Sequence, residues 1–268
     1  MAAGKRWNRV ELLVLLNVYQ KLPFGQFDQR QKVVQQLAAQ MERTPSSVAM
    51  KLSNLASLDP VLQARGVKGL TGASDLDREV WNEFQKHHNI LVPVSEENLR
   101  TLFHAKRGDE IDIIKNVGVK VRKPKTPQPP KCDTESAAQV MVRRGQQFFR
   151  QMVLNAFDGC CCVTGLPLRE LLVASHILPW GAFPAERLNH RNGLSLSRLQ
   201  DGAFDRGLMT LDEDFRVVLS KNLKAALPND AVKSSFVVYE GKRIHLPVDA
   251  ESPDEKFLAH HRENIFDN

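Results

Sequence analysis

Leu171-Leu-Val-Ala-Ser-His176-Ile177, then Asn192-Gly-Leu-Ser-Leu-Ser197, then Arg198 to Arg206: the fold turns on this succession. The first run is short and apolar, as a buried strand is. The second alternates, as a half-buried strand does. The third is short and helical in character, closed by Gly207, a residue suited to a helix C-terminus. Strand, loop, strand and helix in that order can gather one imidazole, one amide and one or two carboxylates around a point. The candidates are His176, Asn192, Asp201 and Asp205. Asp201 and Asp205 are four apart, so both can face one side of the helix. Cleaving a phosphodiester needs such parts. A neutral histidine, with a pKa of about 6.5, takes a proton from water at neutral pH. A hard divalent cation on oxygen ligands stabilises the pentavalent phosphate and the departing oxyanion. An asparagine can hydrogen-bond across the loop and hold the imidazole in its direction.

Upstream of these strands a helix is expected from about Glu135 to Phe157. Val140, Phe148, Phe149, Met152 and Val153 are its apolar contacts, and Arg143, Arg144 and Arg150 carry positive charge. Before it stands Lys120-Val-Arg-Lys-Pro-Lys-Thr-Pro-Gln-Pro-Pro-Lys131. Prolines among basic residues read as an extended, self-repelling tether, either a solvated spacer or a strap along phosphates. The expected division is a helical domain at 1–115, a basic Pro-rich linker at 116–135 and a second domain at 136–268. Downstream, strands are expected at about Leu208–Asp212 and Phe215–Ser220, a hairpin around Glu240-Gly241 and a helix near Phe257–Glu263.

The front domain opens on a helix whose Asn8 and Glu11 have capping-box spacing, with Leu12, Leu15, Leu16 and Tyr19 on one face. Pro23-Phe24-Gly25 ends it. A second helix spans about Gln31 to Met41. A third has Thr44 as N-cap, Pro45 at the first helical position and Val48, Leu52 and Leu55 inward. Three short helices with a compact turn before the last fit a helix-turn-helix unit. The opposite face of the third helix carries Ser46, Ser47, Met50, Lys51, Ser53 and Asn54. These either reach base edges and phosphates or form the wet face of a surface helix. A further packing helix is expected over Asp75 to Phe84, which includes Trp81.

The 268 residues carry 37 Lys+Arg against 31 Asp+Glu, a formal charge of +6. Residues 1–115 hold 16 basic against 13 acidic side chains, and 116–135 hold 5 against 2. The excess therefore lies in the front half and linker, which points only weakly to nucleic acid. No apolar run is long enough for a membrane helix. No secretory pattern opens the chain, and three of its four cysteines are consecutive, a poor disulfide framework. A cytoplasmic protein is expected.

Four segments, Cys161-Cys-Val-Thr-Gly165, Ala174-Ser-His-Ile-Leu-Pro-Trp180, Asn192-Gly-Leu-Ser-Leu-Ser197 and Ala203-Phe-Asp-Arg-Gly207, resemble the HNH endonuclease family. The likeness covers roughly Arg144 to Ser220 and is to the restriction-type and defence branch. The front domain resembles, more loosely, the N-terminal region often joined to this nuclease. The resemblance implies an α+β protein, with a helix-turn-helix-like N-terminal domain joined to a ββα-metal nuclease with extra hairpins. It places the general base on His176 and the loop-organising amide on Asn192. The family's final metal-ligand histidine falls on Asp201 or Gln200, of which aspartate is the harder donor. The acidic ligand common before the first histidine is here Ser175, and Asp205 is the candidate for the missing carboxylate.

The implied activity is metal-dependent hydrolysis of double-stranded DNA with Mg²⁺ or Mn²⁺, leaving 5′-phosphate and 3′-hydroxyl ends. Arg144, Arg150 and Arg206 are phosphate candidates, and Ser46, Ser47, Lys51 and Asn54 are candidates for the duplex. A homodimer stays open, since cutting both strands calls for two sites. No C-x-x-C pair is present, so no structural zinc is expected. Two alternatives stand beside this reading: a non-catalytic DNA-binding protein with a degenerate site, and a nuclease whose front domain senses a ligand.

Overall fold

The computed structural model describes residues 5–66, 72–106, 108–123, 137–248 and 250–268. They fall into two compact units, Met1–Gln151 and Met152–Asn268.

The first unit is built from α1 (Arg9–Lys21), α2 (Lys32–Gln40), α3 (Pro45–Ala56), α4 (Pro60–Ala64), α5 (Asp75–Lys86) and α6 (His88–Leu102). Asn8 caps α1 in a capping box with Glu11, and Thr44 caps α3 ahead of Pro45, so local sequence sets both starts. Leu12, Leu15, Val34, Leu37, Val48, Leu52, Val80 and Phe84 form the buried core on which α1, α2, α3 and α5 converge. Hairpin strands β1 (Glu110–Ile114) and β2 (Gly118–Arg122) follow. Gln151, on α7 (Ala137–Ala156), accepts from the Ile113 amide at 3.1 Å and donates to the Ile111 carbonyl.

The hairpin changes the reading of the linker. Lys120-Val-Arg122, expected to be extended tether, pair with Glu110-Ile-Asp112, because Asn116 and Gly118 accept the positive φ that a tight turn needs. The Pro-rich remainder, 124–136, lies outside the described residues.

Two side chains assigned to a DNA-facing surface are committed to the interior. Lys51 Nζ donates to both carboxylate oxygens of Asp77, at 3.0 and 2.8 Å, and Asn54 Nδ2 donates to the Gly72 carbonyl at 3.2 Å. Both are buried, because α3 packs on α5 through the face that a simple helical wheel assigns to solvent. Ser46 and Met50 stay exposed and Ser47 is half-buried.

The second unit begins within α7 and is organised by two hairpins. Strands β3 (Leu172–His176) and β4 (Gly193–Ser197) are antiparallel, and α8 (Arg198–Asp205) packs against both. Strand β4 is buried along its whole length rather than on alternate residues. Its far edge is covered by the cysteine segment: the Cys162 amide donates to the Ser195 carbonyl at 2.7 Å, and Cys161 Sγ accepts from the Ser197 amide at 3.3 Å. Strands β5 (Met209–Leu211) and β6 (Val217–Leu219) make the second hairpin. Short helices α9 (Lys221–Ala225) and α10 (Asp230–Ser235) and then α11 (Glu255–Asn264) complete the unit. The hairpin expected around Glu240-Gly241 is instead a turn, bridged to β6 at Val217↔Glu240, with a second bridge at Arg216↔Arg243. Among the described residues no helix is long and apolar enough to cross a membrane.

Removing the Lys51 ammonium would strand a fully buried carboxylate on Asp77. Lys51→Ala is expected to lower the unfolding free energy of the full chain by about 3–5 kcal/mol, read by chemical denaturation. A change within about 0.5 kcal/mol, the range of an ordinary surface substitution, would place Lys51 outside the core.

Candidate active site

The β3–β4 register sets His176 opposite Gly193 at the open end of the hairpin, with Ser175 opposite Leu194. Between the strands the chain makes a long excursion, and Asn192 gathers it. Its Oδ1 accepts from the Leu178 amide at 2.7 Å, while its Nδ2 donates to the Glu186 carbonyl at 3.0 Å. The Ile177 amide bonds the Asn192 carbonyl at 3.0 Å. A side chain that supplies an acceptor and donors at once, and is itself buried, suits this position as no aspartate would.

His176 Nε2 lies 3.0 Å from the Arg187 carbonyl. A carbonyl only accepts, so Nε2 carries the proton and the neutral ring keeps its lone pair on Nδ1. The ring also makes a T-shaped contact with Trp180, centroids 5.2 Å apart at 78°. Burial lowers the His176 pKa, and the Arg187 carbonyl opposes that effect in part. The imidazole is therefore neutral at pH 7, the form a general base requires.

On α8, adjacent residues diverge. Gln200 turns inward, its Oε1 bonded to the Ser197 hydroxyl and its Nε2 to the Ser235 carbonyl at 2.9 Å. Asp201 is half-buried beside Ser175, whose buried hydroxyl makes no close hydrogen bond of good geometry yet stabilises the Asp201 carboxylate. Desolvation nevertheless raises the Asp201 pKa. The Asp205 pKa is raised by desolvation and then by the charge of Asp201. The carboxylates of Asp201 and Asp205, with the Ser175 hydroxyl beside the first, offer only oxygen donors, which suit a hard divalent cation. Among the described residues no three His, Cys, Asp or Glu side chains cluster closely enough to hold a metal.

The expected phosphate contacts divide. Arg206 is exposed at the end of α8, beside Asp205. Arg144 is buried in the first unit, bonded to Glu97 at 2.7 Å and Gln147 at 3.2 Å, and so is engaged internally. Arg150 is half-buried on α7.

Residues 161–212 match the family model of HNH endonucleases. The chain therefore carries an HNH endonuclease domain in its C-terminal half, and the matched span covers β3, β4, α8 and β5. Among curated proteins, none matches the chain. An HNH nuclease domain takes nucleic acid as substrate, and such nucleases generally use a divalent metal.

Sequence reasoning missed what holds α8 in the HNH domain. His261, from α11, stacks on Phe204 of α8 with centroids 3.7 Å apart and planes at 16°. Its Nε2 donates to the Phe204 carbonyl at 3.1 Å, and its Nδ1 accepts from the Thr210 hydroxyl at 2.9 Å. Just beyond, the Asp267 amide donates to the Gly207 carbonyl at 2.9 Å. A Cβ on Gly207 would lie 2.0 Å from the Ile265 carbonyl oxygen. No spacing rule pairs residues so far apart along the chain.

Burial pushes the His261 pKa down to about 4. Below about pH 6.5 the unfolded chain takes up a proton that the folded one refuses, so this residue's contribution is full above that pH and is lost toward about 4. The loss amounts to about 3 kcal/mol, and His176, also lowered, adds in the same direction. Equilibrium unfolding against pH is expected to lose part of this slope in His261→Asn. An unchanged slope in that variant would show that His261 is not held neutral.

Proposed function

We propose that the chain is a metal-dependent DNA endonuclease of restriction or anti-phage type, cutting duplex DNA to 5′-phosphate and 3′-hydroxyl ends. The observation that carries the reading is the hydrogen bond from His176 Nε2 to the Arg187 carbonyl, because it leaves Nδ1 as the basic nitrogen. In the proposed step His176 Nδ1 takes a proton from water and the hydroxide oxygen attacks phosphorus. The bond from phosphorus to the 3′-oxygen breaks, and its electron pair leaves on that oxygen, which a solvent proton then neutralises. Asn192 keeps the excursion closed so that the Arg187 carbonyl stays within hydrogen-bond reach of His176 Nε2. Asp201 and Asp205 are the residues that would hold the cation, with Ser175 beside them. When bound, that cation supplies positive charge to the phosphate and the leaving oxygen.

The helical unit, with exposed Ser46 and half-buried Ser47 at the start of α3, is proposed to engage the duplex, and Arg206 a backbone phosphate. Adjacent cysteines, a poor disulfide framework, support a cytoplasmic setting. A homodimer would account for cuts in both strands. One rival has an observation in its favour: Ser175 in place of a carboxylate, with no three-residue metal cluster among the described residues, suits a protein that binds DNA without cutting it.

Plasmid cleavage by the full chain with Mg²⁺ or Mn²⁺ against chelator separates them. His176→Ala is expected to slow cleavage by about 10²–10⁴. Asp201→Asn is expected to raise the metal concentration needed for half-maximal rate. His176→Ala cutting at the wild-type rate would falsify the assignment of the base, and binding without cleavage under either metal would favour the rival.

A further inference from the structure

Arg187 does more in the structure than lend its carbonyl to His176. Its side chain is half-buried and held at two places. Nε donates to the Trp180 carbonyl at 2.7 Å, and the guanidinium carbon stands 5.0 Å from the centre of the Trp180 ring. Its backbone is pinned on both sides, by Asn192 bonding the Glu186 carbonyl and by the buried Leu188. Among the described residues its two terminal nitrogens have no carboxylate or carbonyl partner. The nearest carboxylate in sequence, Glu186, is bonded to Asn189 at 2.8 Å. Arg191 makes the contrast: its guanidinium is paired with Asp254 at 3.2 Å and bonded to the Ser252 carbonyl at 3.3 Å.

An arginine whose Nε is fixed and whose guanidinium carbon lies over an aromatic ring presents its two Nη groups as a preset fork. That fork matches two oxygens of a phosphodiester, and little rotamer freedom remains to be lost on binding. We propose that Arg187 binds the backbone phosphate presented to His176, with Trp180 as the platform that aims its guanidinium. The inference rests on the nuclease reading and adds a phosphate-binding group that sequence motifs did not single out. One residue then couples the two requirements of the step, its carbonyl fixing the tautomer of the base and its guanidinium holding the phosphate.

Binding is measured first in the cleavage-dead His176→Ala full chain, without metal, by fluorescence anisotropy on a short labelled duplex across a salt series. Adding Arg187→Met, which keeps an unbranched chain on the indole but removes the charge, is expected to weaken binding about tenfold. The slope of log affinity against log salt should fall by about one phosphate contact. Arg187→Lys should keep the slope and recover only part of the affinity, and Trp180→Ala should weaken binding while keeping the slope. In the active protein, Arg187→Met should raise KM and leave the pH profile in place, because the backbone carbonyl is untouched. An unchanged affinity and slope in Arg187→Met overturns the proposal. So does a displaced pH profile with an unchanged slope, which would make Arg187 only a fastening for His176. The nuclease reading fails on a different result, duplex binding by the wild type with no cleavage under Mg²⁺ or Mn²⁺.

Discussion

The proton on His176 Nε2 is held by the carbonyl oxygen of Arg187, and the tautomer that follows decides which nitrogen can act as a base. That carbonyl sits at the far end of a long excursion between two strands, where a backbone group has no regular partner to hold it. Its position therefore depends on Asn192, whose amide ties Leu178 at the start of the excursion to Glu186 just before Arg187. Trp180 then serves two neighbours, with the His176 ring in T-shaped contact and the Arg187 guanidinium over it. A one-residue slip of β3 against β4 would turn His176 to the other face of the sheet and undo all of this at once.

The two units use buried polar groups for different ends. In the helical unit several cations are withdrawn from solvent into pairs: Lys51 with Asp77, Arg43 with Glu11, Arg144 with Glu97, and Lys21 with Glu96. Positive charge counted along the sequence thus overstates what the surface offers to a polyanion, because these ammonium and guanidinium groups are already paired with carboxylates. In the HNH domain the buried groups are mostly neutral and hold geometry, as Asn192, Gln200 and His261 do. Charge is concentrated where desolvation destabilises it, at Asp201 and Asp205, and a cation would relieve that cost.

Much of the fold was legible because it is local. Asn8 with Glu11, and Thr44 before Pro45, announce helix starts through hydrogen bonds that span three residues. The ββα order was legible from an apolar run, an alternating run and Gly207. The limits have equally local causes. Lys51 and Asn54 looked solvent-facing because a helical wheel assigns one buried face, whereas α3 packs on two sides. Lys120-Val-Arg122 looked like tether because proline and charge dominate the window, although the turn at Asn116 and Gly118 pairs the strand just before the prolines begin.

By itself the sequence determined the chemistry available: one imidazole, one amide and two carboxylates in an order that a strand pair and a helix can bring together. Tertiary structure decided which of those atoms are usable. It turned Asp201 toward Ser175 and Gln200 toward Ser235. It brought His261 onto Phe204 across 57 positions of chain and set the Arg187 carbonyl against His176 Nε2. The physical reason is that residue type carries acid, base and ligand character. Proton position, desolvation and aim depend on neighbours that only the folded chain supplies.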